Sequence, residues 1–305
     1  MNMDSSLDSD LLRYLSGNSP LLQDLINMLP VPIFYKDRAG NYLGCNKAFE
    51  EFIKIERAQL VGNNVFQLFD KKLADIYHKA DKALLDKPGI QIYESVVRST
   101  KGDVRYVKFH KTSFLDSKDE VAGLIGIIFD ITAQKQLERK LIEQATYDYL
   151  TGLYNRREGL KRMGELYELA KRNYQPCVVL MLDVDHFKRV NDQYGHQIGD
   201  KALQFIADTL RQTSRKSDVL VRYGGEEFLL FLPNVTDGNA IIFAERYRTT
   251  LAEKAMRLSK NQQLHLTVSV GISNYRQQSL TDLIHEADIA LYEAKNRGRN
   301  NVCSY

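Results

Sequence analysis

Leucines recur at helical spacing among polar residues up to about Leu29, where Pro30-Val31-Pro32 stops any helix. A short amphipathic helix is therefore predicted to lead into the first folded part. From Ile33 to Tyr42 the pattern IFYKDRAGNY reads as two short strands about a turn at Arg38 to Asn41, since Ala-Gly-Asn supplies the backbone angles of a tight turn. Helical periodicity follows at Asn46 to Ile53 and Leu73 to Asp86. Three strand-like stretches come next, Ile90 to Ser99, Val104 to Phe114 and Val121 to Asp130, with Lys101-Gly102-Asp103 as a second hairpin turn. The predicted order is two strands, several short helices, then three antiparallel strands.

A strongly charged helix is predicted from Thr132 to about Tyr147, with Leu137 and Leu141 on one stripe, as in a short two-stranded coiled coil. The second half alternates. A helix from Arg156 to Asn173 precedes the apolar run CVVLMLDVD, and helices at Asp200 to Arg211, Asn239 to Arg257 and Leu280 to Asn296 alternate with strands at Val219 to Tyr223, Glu227 to Leu232 and His265 to Ile272. Such alternation predicts a central sheet covered by helices.

At 305 residues the chain is long enough for two separate cores, and 44% hydrophobic with 27% charged residues is an ordinary globular composition. A formal net charge of +3 gives no field that implies a nucleic-acid polymer as partner, so any phosphate binding must be local. Cys45, Cys177 and Cys303 lie far apart with no metal-ligand spacing, and read as buried or incidental thiols. No apolar run approaches the ~18 residues needed to cross a bilayer, and the acidic start MNMDSSLDSD is unlike a signal peptide, which predicts a cytoplasmic chain without a membrane span.

The sharpest chemistry lies in Arg222-Tyr223-Gly224-Gly225-Glu226-Glu227-Phe228, a glycine pair followed by an acid pair between two apolar segments. It predicts a hairpin tip whose adjacent carboxylates can meet a divalent cation carrying phosphates. Asp183 and Asp185 end the apolar run, and a carboxylate at the end of a buried strand is costly unless a metal or a hydrogen-bond network receives it. The two acidic clusters suggest one Mg²⁺ site assembled between them.

Residues 22–132, with YKDRAGNYLGCNKAFEEF near the start and GLIGIIFDIT at the end, resemble a PAS sensor domain. The second half resembles a GGDEF domain, the catalytic module of diguanylate cyclases, through DYLTGLYNRR from Asp148, DVDHFKRVND from Asp183, the signature GGEEF and ADIALYEAKNRGRN from Ala287. The resemblance implies a mixed α/β, two-domain chain: a segment 1–21, a PAS domain 22–132 of antiparallel sheet with helices, a coiled-coil linker 133–147, and a palm-like nucleotidyl cyclase domain 148–305.

It also implies condensation of two GTP into cyclic di-GMP. Asp183, Glu226 and the Val184 carbonyl would ligate Mg²⁺, for which Mn²⁺ could substitute; Glu226 would accept the proton of the attacking 3′-hydroxyl, and Glu227 would support the metals. Asn191 and Asp200 match the guanine-reading positions, because a carboxylate accepts the N1 and N2 protons that adenine does not present; His196 is expected on the same loop. Lys188, Lys295 and Arg299 match phosphate contacts. Arg215 and Asp218 form an RxxD element nine residues before Gly224, and with Arg246 match the family's product-inhibition site.

A product made from two GTP implies two sites facing each other in a homodimer, which the PAS domain would control. The PAS ligand is open: His78 and His110 are ordinary structural or solvated histidines before they are haem ligands, and the aromatic core could enclose a small apolar or carboxylate guest, or nothing. A non-catalytic cyclic di-GMP receptor, a cyclase for another purine pair and a plain interaction scaffold are the competing readings. The intact set of Asp183, Asn191, Asp200, Glu226, Lys295 and Arg299 disfavours them.

Overall fold

The computed structural model describes residues 20–98, 104–116, 118–259 and 262–305, which divide into two compact units after Glu138. The predicted turn at Lys101 to Asp103 and most of the predicted segment 1–21 lie outside the described residues.

The first unit opens with α1 (Pro20–Asn27), β1 (Ile33–Asp37) and β2 (Tyr42–Cys45). The β1–β2 turn is closed by Asp37, whose Oδ1 accepts the Asn41 amide at 2.8 Å. Four helices follow, α2 (Lys47–Ile53), α3 (Arg57–Leu60), α4 (Val65–Leu68) and α5 (Lys71–Asp86), then β3 (Ile90–Arg98), β4 (Val104–Leu115) and β5 (Val121–Asp130). The strands form one antiparallel sheet in the order β2-β1-β5-β4-β3. Period-two alternation in β4 sends Val107, Phe109 and Lys111 into the core, and the helices between β2 and β3 supply Phe49, Leu60, Val65, Ala74 and Leu84 to the same core.

Asn46, fully buried, ties this unit together. Its Oδ1 accepts the amides of Ile33 and Phe49, capping α2, while its Nδ2 donates to the carbonyls of Ile26, Leu29 and Val31. His110 falls on the sheet face opposite Phe109 and Lys111, its ring against Phe129, whereas His78 packs on Phe66. The two histidines do not converge on a common haem position.

The helix α6 (Thr132–Thr146) carries Leu137, Leu141 and Ile142 exposed, and the second unit begins within it. Its elements are β6 (Tyr154–Asn155), α7 (Arg156–Arg172), β7 (Cys177–Val184), α8 (Phe187–Tyr194), α9 (His196–Thr213), β8 (Val219–Arg222), β9 (Glu227–Pro233), α10 (Asp237–Glu253), the ribbon β10 (Met256–Arg257) with β11 (Gln263–Leu264), β12 (Val268–Asn274), α11 (Leu280–Asn296) and β13 (Val302–Ser304). The main sheet runs β13-β12-β7-β9-β8-β6, so β7 lies inside and every one of its residues is buried. One face packs Val178, Leu180 and Leu182 on α9 and α10; the other packs Val179 and Met181 on α7 and α11.

Two predicted boundaries are corrected. The helix expected over Asn239 to Arg257 stops at Glu253, because Met256 leaves it to pair with Leu264 and bury its side chain. The strand expected from His265 starts at Val268. The three cysteines are free and buried, as their spacing predicts.

Gly271 of β12 sets the depth of α11. A Cβ there would collide with the Ala287 carbonyl and the Leu291 amide, backbone atoms that cannot swing aside. Gly271→Ala is expected to cost roughly 1–3 kcal/mol in urea denaturation. Gly164→Ala, on α7 with open space around it, should cost nothing and gain a few tenths to about 1 kcal/mol from helix propensity.

Candidate functional site

Strand β7 ends in Asp183, whose alternation places it on the face covered by α11. On α11 the stripe Leu283, Ala287, Leu291 packs on that face, and one turn further Lys295 puts its Nζ 2.9 Å from Asp183 Oδ2. Burial nonetheless pushes the Asp183 carboxyl above its ordinary range, outweighing the pull of Lys295.

The acidic tip is the hairpin predicted from sequence. Tyr223 and Gly224 both donate to the Glu227 carbonyl, at 2.9 and 3.2 Å, and β8 and β9 run back from it. The Val184 amide donates to the Glu226 carbonyl at 3.2 Å, while Asp183 sits opposite Glu227 in the ladder, so the tip is stitched to the end of β7. Glu226 is half-buried, and its carboxyl is raised by burial first and by the charge of Asp183 next. Arg222 holds the tip from below: its guanidinium donates to the Gly225 carbonyl at 2.8 Å and to both Asp148 oxygens at 3.1 Å.

Of the two possible receivers for Asp185, a hydrogen-bond network is the one present. Its Oδ1 accepts from Ser269 at 2.7 Å, and its Oδ2 from the Thr267 hydroxyl at 2.8 Å and the Asn300 amide at 2.9 Å. These donors leave both of its oxygens committed to structure, whereas Asp183 has Lys295 alone as an ion-pair partner among the described residues. The Asn300 bond also pins a turn in which Arg299 and Asn300 both adopt positive φ, 64° and 42°, which side chains rarely accept unaided. Asp185 thereby aims the segment that carries Arg299. Thr267, Ser269 and Asn300 are 82 to 115 positions away, and no local pattern announces them.

The remaining candidates divide. Lys188 is exposed on α8, and Asn191, on the same helix, is half-buried. His196 opens α9, which corrects its expected place in a loop: α8 and α9 are separated by Gly195 alone. Asp200 is exposed one turn into α9. Gly199, not singled out from sequence, faces Asn191 so closely that any Cβ would run into Asn191 Oδ1. At the far end of α9, Asp218 Oδ2 accepts the Arg215 amide at 2.7 Å and Arg246 donates to the Thr213 carbonyl at 3.0 Å, which gathers Arg215, Asp218 and Arg246 about one turn.

The donors at the β7 end are oxygens, two of them carboxylates whose anions are disfavoured by burial first and by repulsion from a neighbouring acid next, which is the chemistry that suits Mg²⁺. Among the described residues no group of three or more His, Cys, Asp or Glu could hold a metal. Mg²⁺ does not require one, since it is commonly held by one or two carboxylates together with substrate phosphates. The residues fit it.

The model of the diguanylate cyclase GGDEF domain family matches residues 145–301, and that of a PAS fold residues 26–136. A diguanylate cyclase of Vibrio cholerae is 32% identical over 283 residues, covering 92% of this chain and 88% of that one. Diguanylate cyclase DgcM of Escherichia coli is 31% identical over 283 residues, covering 91% of this chain and 66% of its own length. Among solved structures, the GGDEF domain of DgcB from Caulobacter crescentus in complex with c-di-GMP superposes with a TM-score of 0.51 at 32% identity, covering 52% of this chain and 93% of that one. The coiled coil and GGDEF domain of the same protein, again with c-di-GMP, gives 0.54 at 28% identity, with 57% and 93% covered.

Gly199→Ala is expected to displace Asn191 and raise the KM for GTP about tenfold, the value of roughly one hydrogen bond, as read by steady-state kinetics. A second expectation concerns pH. A carboxyl whose folded pKa lies above its unfolded value, 4.5 for Glu226, binds its proton more tightly in the native state, so the metal-free protein loses stability as pH rises from 4.5 through the raised value. Glu226→Gln removes that loss, and its melting temperature should gain on the wild type between pH 4 and pH 7.

Proposed function

The chain belongs to the GGDEF diguanylate cyclase family, and on that premise we propose that it condenses two GTP into cyclic di-GMP and two pyrophosphates. It is a nucleotidyltransferase by class. The observation that carries the reading is the meeting of Asp183, Glu226 and Lys295 at one end of the central sheet, two carboxylates against one ammonium.

When bound with the triphosphate, Mg²⁺ neutralises phosphate charge and lowers the pKa of the attacking 3′-hydroxyl. Asp183 and Glu226, with the Val184 carbonyl, would hold it, and Glu227 would support them. Glu226, at the hairpin tip beside Asp183, would also take the proton of the attacking hydroxyl. Lys295 pairs with Asp183 in the metal-free protein and would turn to a phosphate oxygen once that carboxylate is neutralised otherwise. Lys188 and Arg299 would share the phosphates, while Asn191 and Asp200, with His196 nearby, would read guanine.

The same proposal includes a homodimer, since each domain holds one GTP and the product joins two. The exposed Leu137, Leu141 and Ile142 of α6 support pairing through that helix, with domains at 22–132 and 148–305 on either side. Arg215, Asp218 and Arg246 would bind the product as an inhibitor, a reading supported by their common turn and by the fit of guanidinium forks to phosphate. The PAS fold would regulate the enzyme by biasing how the two sites meet. No described helix is long and apolar enough to cross a membrane, and a cytoplasmic location, where GTP is supplied, belongs to the same proposal.

Incubation of the purified chain with GTP and Mg²⁺, with products resolved by chromatography, tests the reading. Cyclic di-GMP is expected from the wild type and at least about a hundredfold less from Glu226→Gln. Absence of product from the wild type, with cyclic di-GMP still bound, would replace the enzyme with a receptor.

A further inference from the structure

The core of the first unit contains more positive charge than it balances. Lys36 of β1, Lys111 of β4 and Asp81 of α5 are 1%, 3% and 3% exposed. Lys36 Nζ donates to Asp81 Oδ2 and Lys111 Nζ to Asp81 Oδ1, each at 2.5 Å. One carboxylate thus serves two ammonium groups. An ammonium carries three donors, and among the described residues each of these has one acceptor. Aromatic faces fill the remaining surroundings: Lys36 Nζ lies 4.3 Å from the Tyr42 ring centre, and Lys111 Nζ 5.2 Å from those of Tyr93 and Phe109. Such faces attract a cation but supply neither a hydrogen-bond acceptor nor a full negative charge. A buried charge without its counter-charge is among the costlier arrangements a core can contain.

Beside the two lysines is a cavity of about 30 Å³, lined by both of them and by Phe34, Tyr42, Phe49 and Phe109 among others. Asp81 does not line it; Asp81 lines a separate cleft with Arg38 and His78. The counter-charge and the cavity are therefore on different sides of the lysines. The buried Tyr93 hydroxyl also lacks a hydrogen-bond partner among the described residues. Burial lowers the pKa of both lysines against the pull of Asp81, as expected where one ammonium is left unbalanced.

We propose that this cavity binds a small monocarboxylate, of the size of formate or acetate, whose carboxylate accepts hydrogen bonds from Lys36 and Lys111. The volume sets the size: a water-sized probe occupies about 10–15 Å³, so the cavity holds about two to three such atoms, formate at its upper limit and acetate with slight relaxation. The charge sets the sign and valence, since one monoanion brings the cluster to neutrality. The aromatic lining favours a carboxylate with a carbon body over a hydrated halide. The proposal rests on the first unit alone, so its failure leaves the cyclase reading untouched.

The full chain is exchanged into chloride-free gluconate buffer and melted at constant ionic strength with formate, acetate, chloride or citrate. Formate or acetate is expected to raise the melting temperature by several degrees in a saturable manner, with chloride and citrate near the gluconate baseline. Lys111→Met keeps the balanced Lys36–Asp81 pair and is expected to fold and to lose the response. A wild type that responds to neither carboxylate, a chloride response equal to that of formate, or a full response in Lys111→Met would overturn the proposal. Should the variant not fold, saturation transfer from aromatic protons to the formate proton in the wild type decides: transfer is expected, and its absence would overturn the proposal equally.

Discussion

Strand β7 is buried along its whole length and ends in two carboxylates, and the architecture of the second unit follows from that conflict. Eight consecutive buried positions give the sheet its centre, but ionised groups at the end of such a strand need partners. Asp185 finds three donors, from β12, from Thr267 just before it and from the turn after α11. Asp183 finds Lys295 and remains incompletely compensated, as its raised carboxyl records. The same strand end therefore contains an acid whose oxygens are all hydrogen-bonded and one that is incompletely compensated. What separates them is the number of hydrogen-bond donors within reach.

Packing controls that chemistry at a distance. The close approach of α11 to β12 at Gly271 fixes the depth of the helix, and the stripe Leu283, Ala287, Leu291 fixes its rotation. Lys295 then arrives at Asp183 because it is the next residue on that stripe. A shift of α11 by the width of one methyl group would move the ammonium by a distance comparable to the tolerance of an ion pair. The contact of Gly199 with Asn191 does similar work across α8 and α9. In both places a side chain that contacts a ligand would be aimed by a residue that has no side chain at all.

Local signals were the legible ones. The GGEEF hairpin, the β1–β2 turn and the apolar run of β7 are each written within about ten residues, and the structure has them where the pattern puts them. The end of α10 was not legible, since Ala252 to Arg257 continues a helical pattern and only the pairing of Met256 with Leu264 overrides it. Nor was Gly195 enough to reveal that α8 and α9 flank it directly, which left His196 in a supposed loop. The Asp185 network and the Lys36–Asp81–Lys111 cluster join residues 30 to 115 positions apart. Nothing in the neighbourhood of a lysine in a strand states that its partner is an aspartate on a later helix.

The two units present opposite imbalances: two carboxylates around one ammonium at the sheet end of the second, two ammonium groups around one carboxylate in the core of the first. Solvent access makes them behave differently. Glu226 is half-buried, so water and counterions temper its repulsion from Asp183, and a substrate-borne cation can come and go without the fold giving way. The lysine cluster lies in the core among aromatic side chains, where little water reaches the charges themselves. Lys111 belongs to β4, and β4 also anchors the start of α6: Tyr106 accepts the Ile131 amide at 2.9 Å and donates to Thr132 Oγ1 at 2.9 Å, while Lys135 reaches Glu94 on neighbouring β3 at 2.9 Å. A guest that draws Lys111 toward the cavity would act on the strand to which the start of α6 is hydrogen-bonded, one strand over from β5, from which that helix departs.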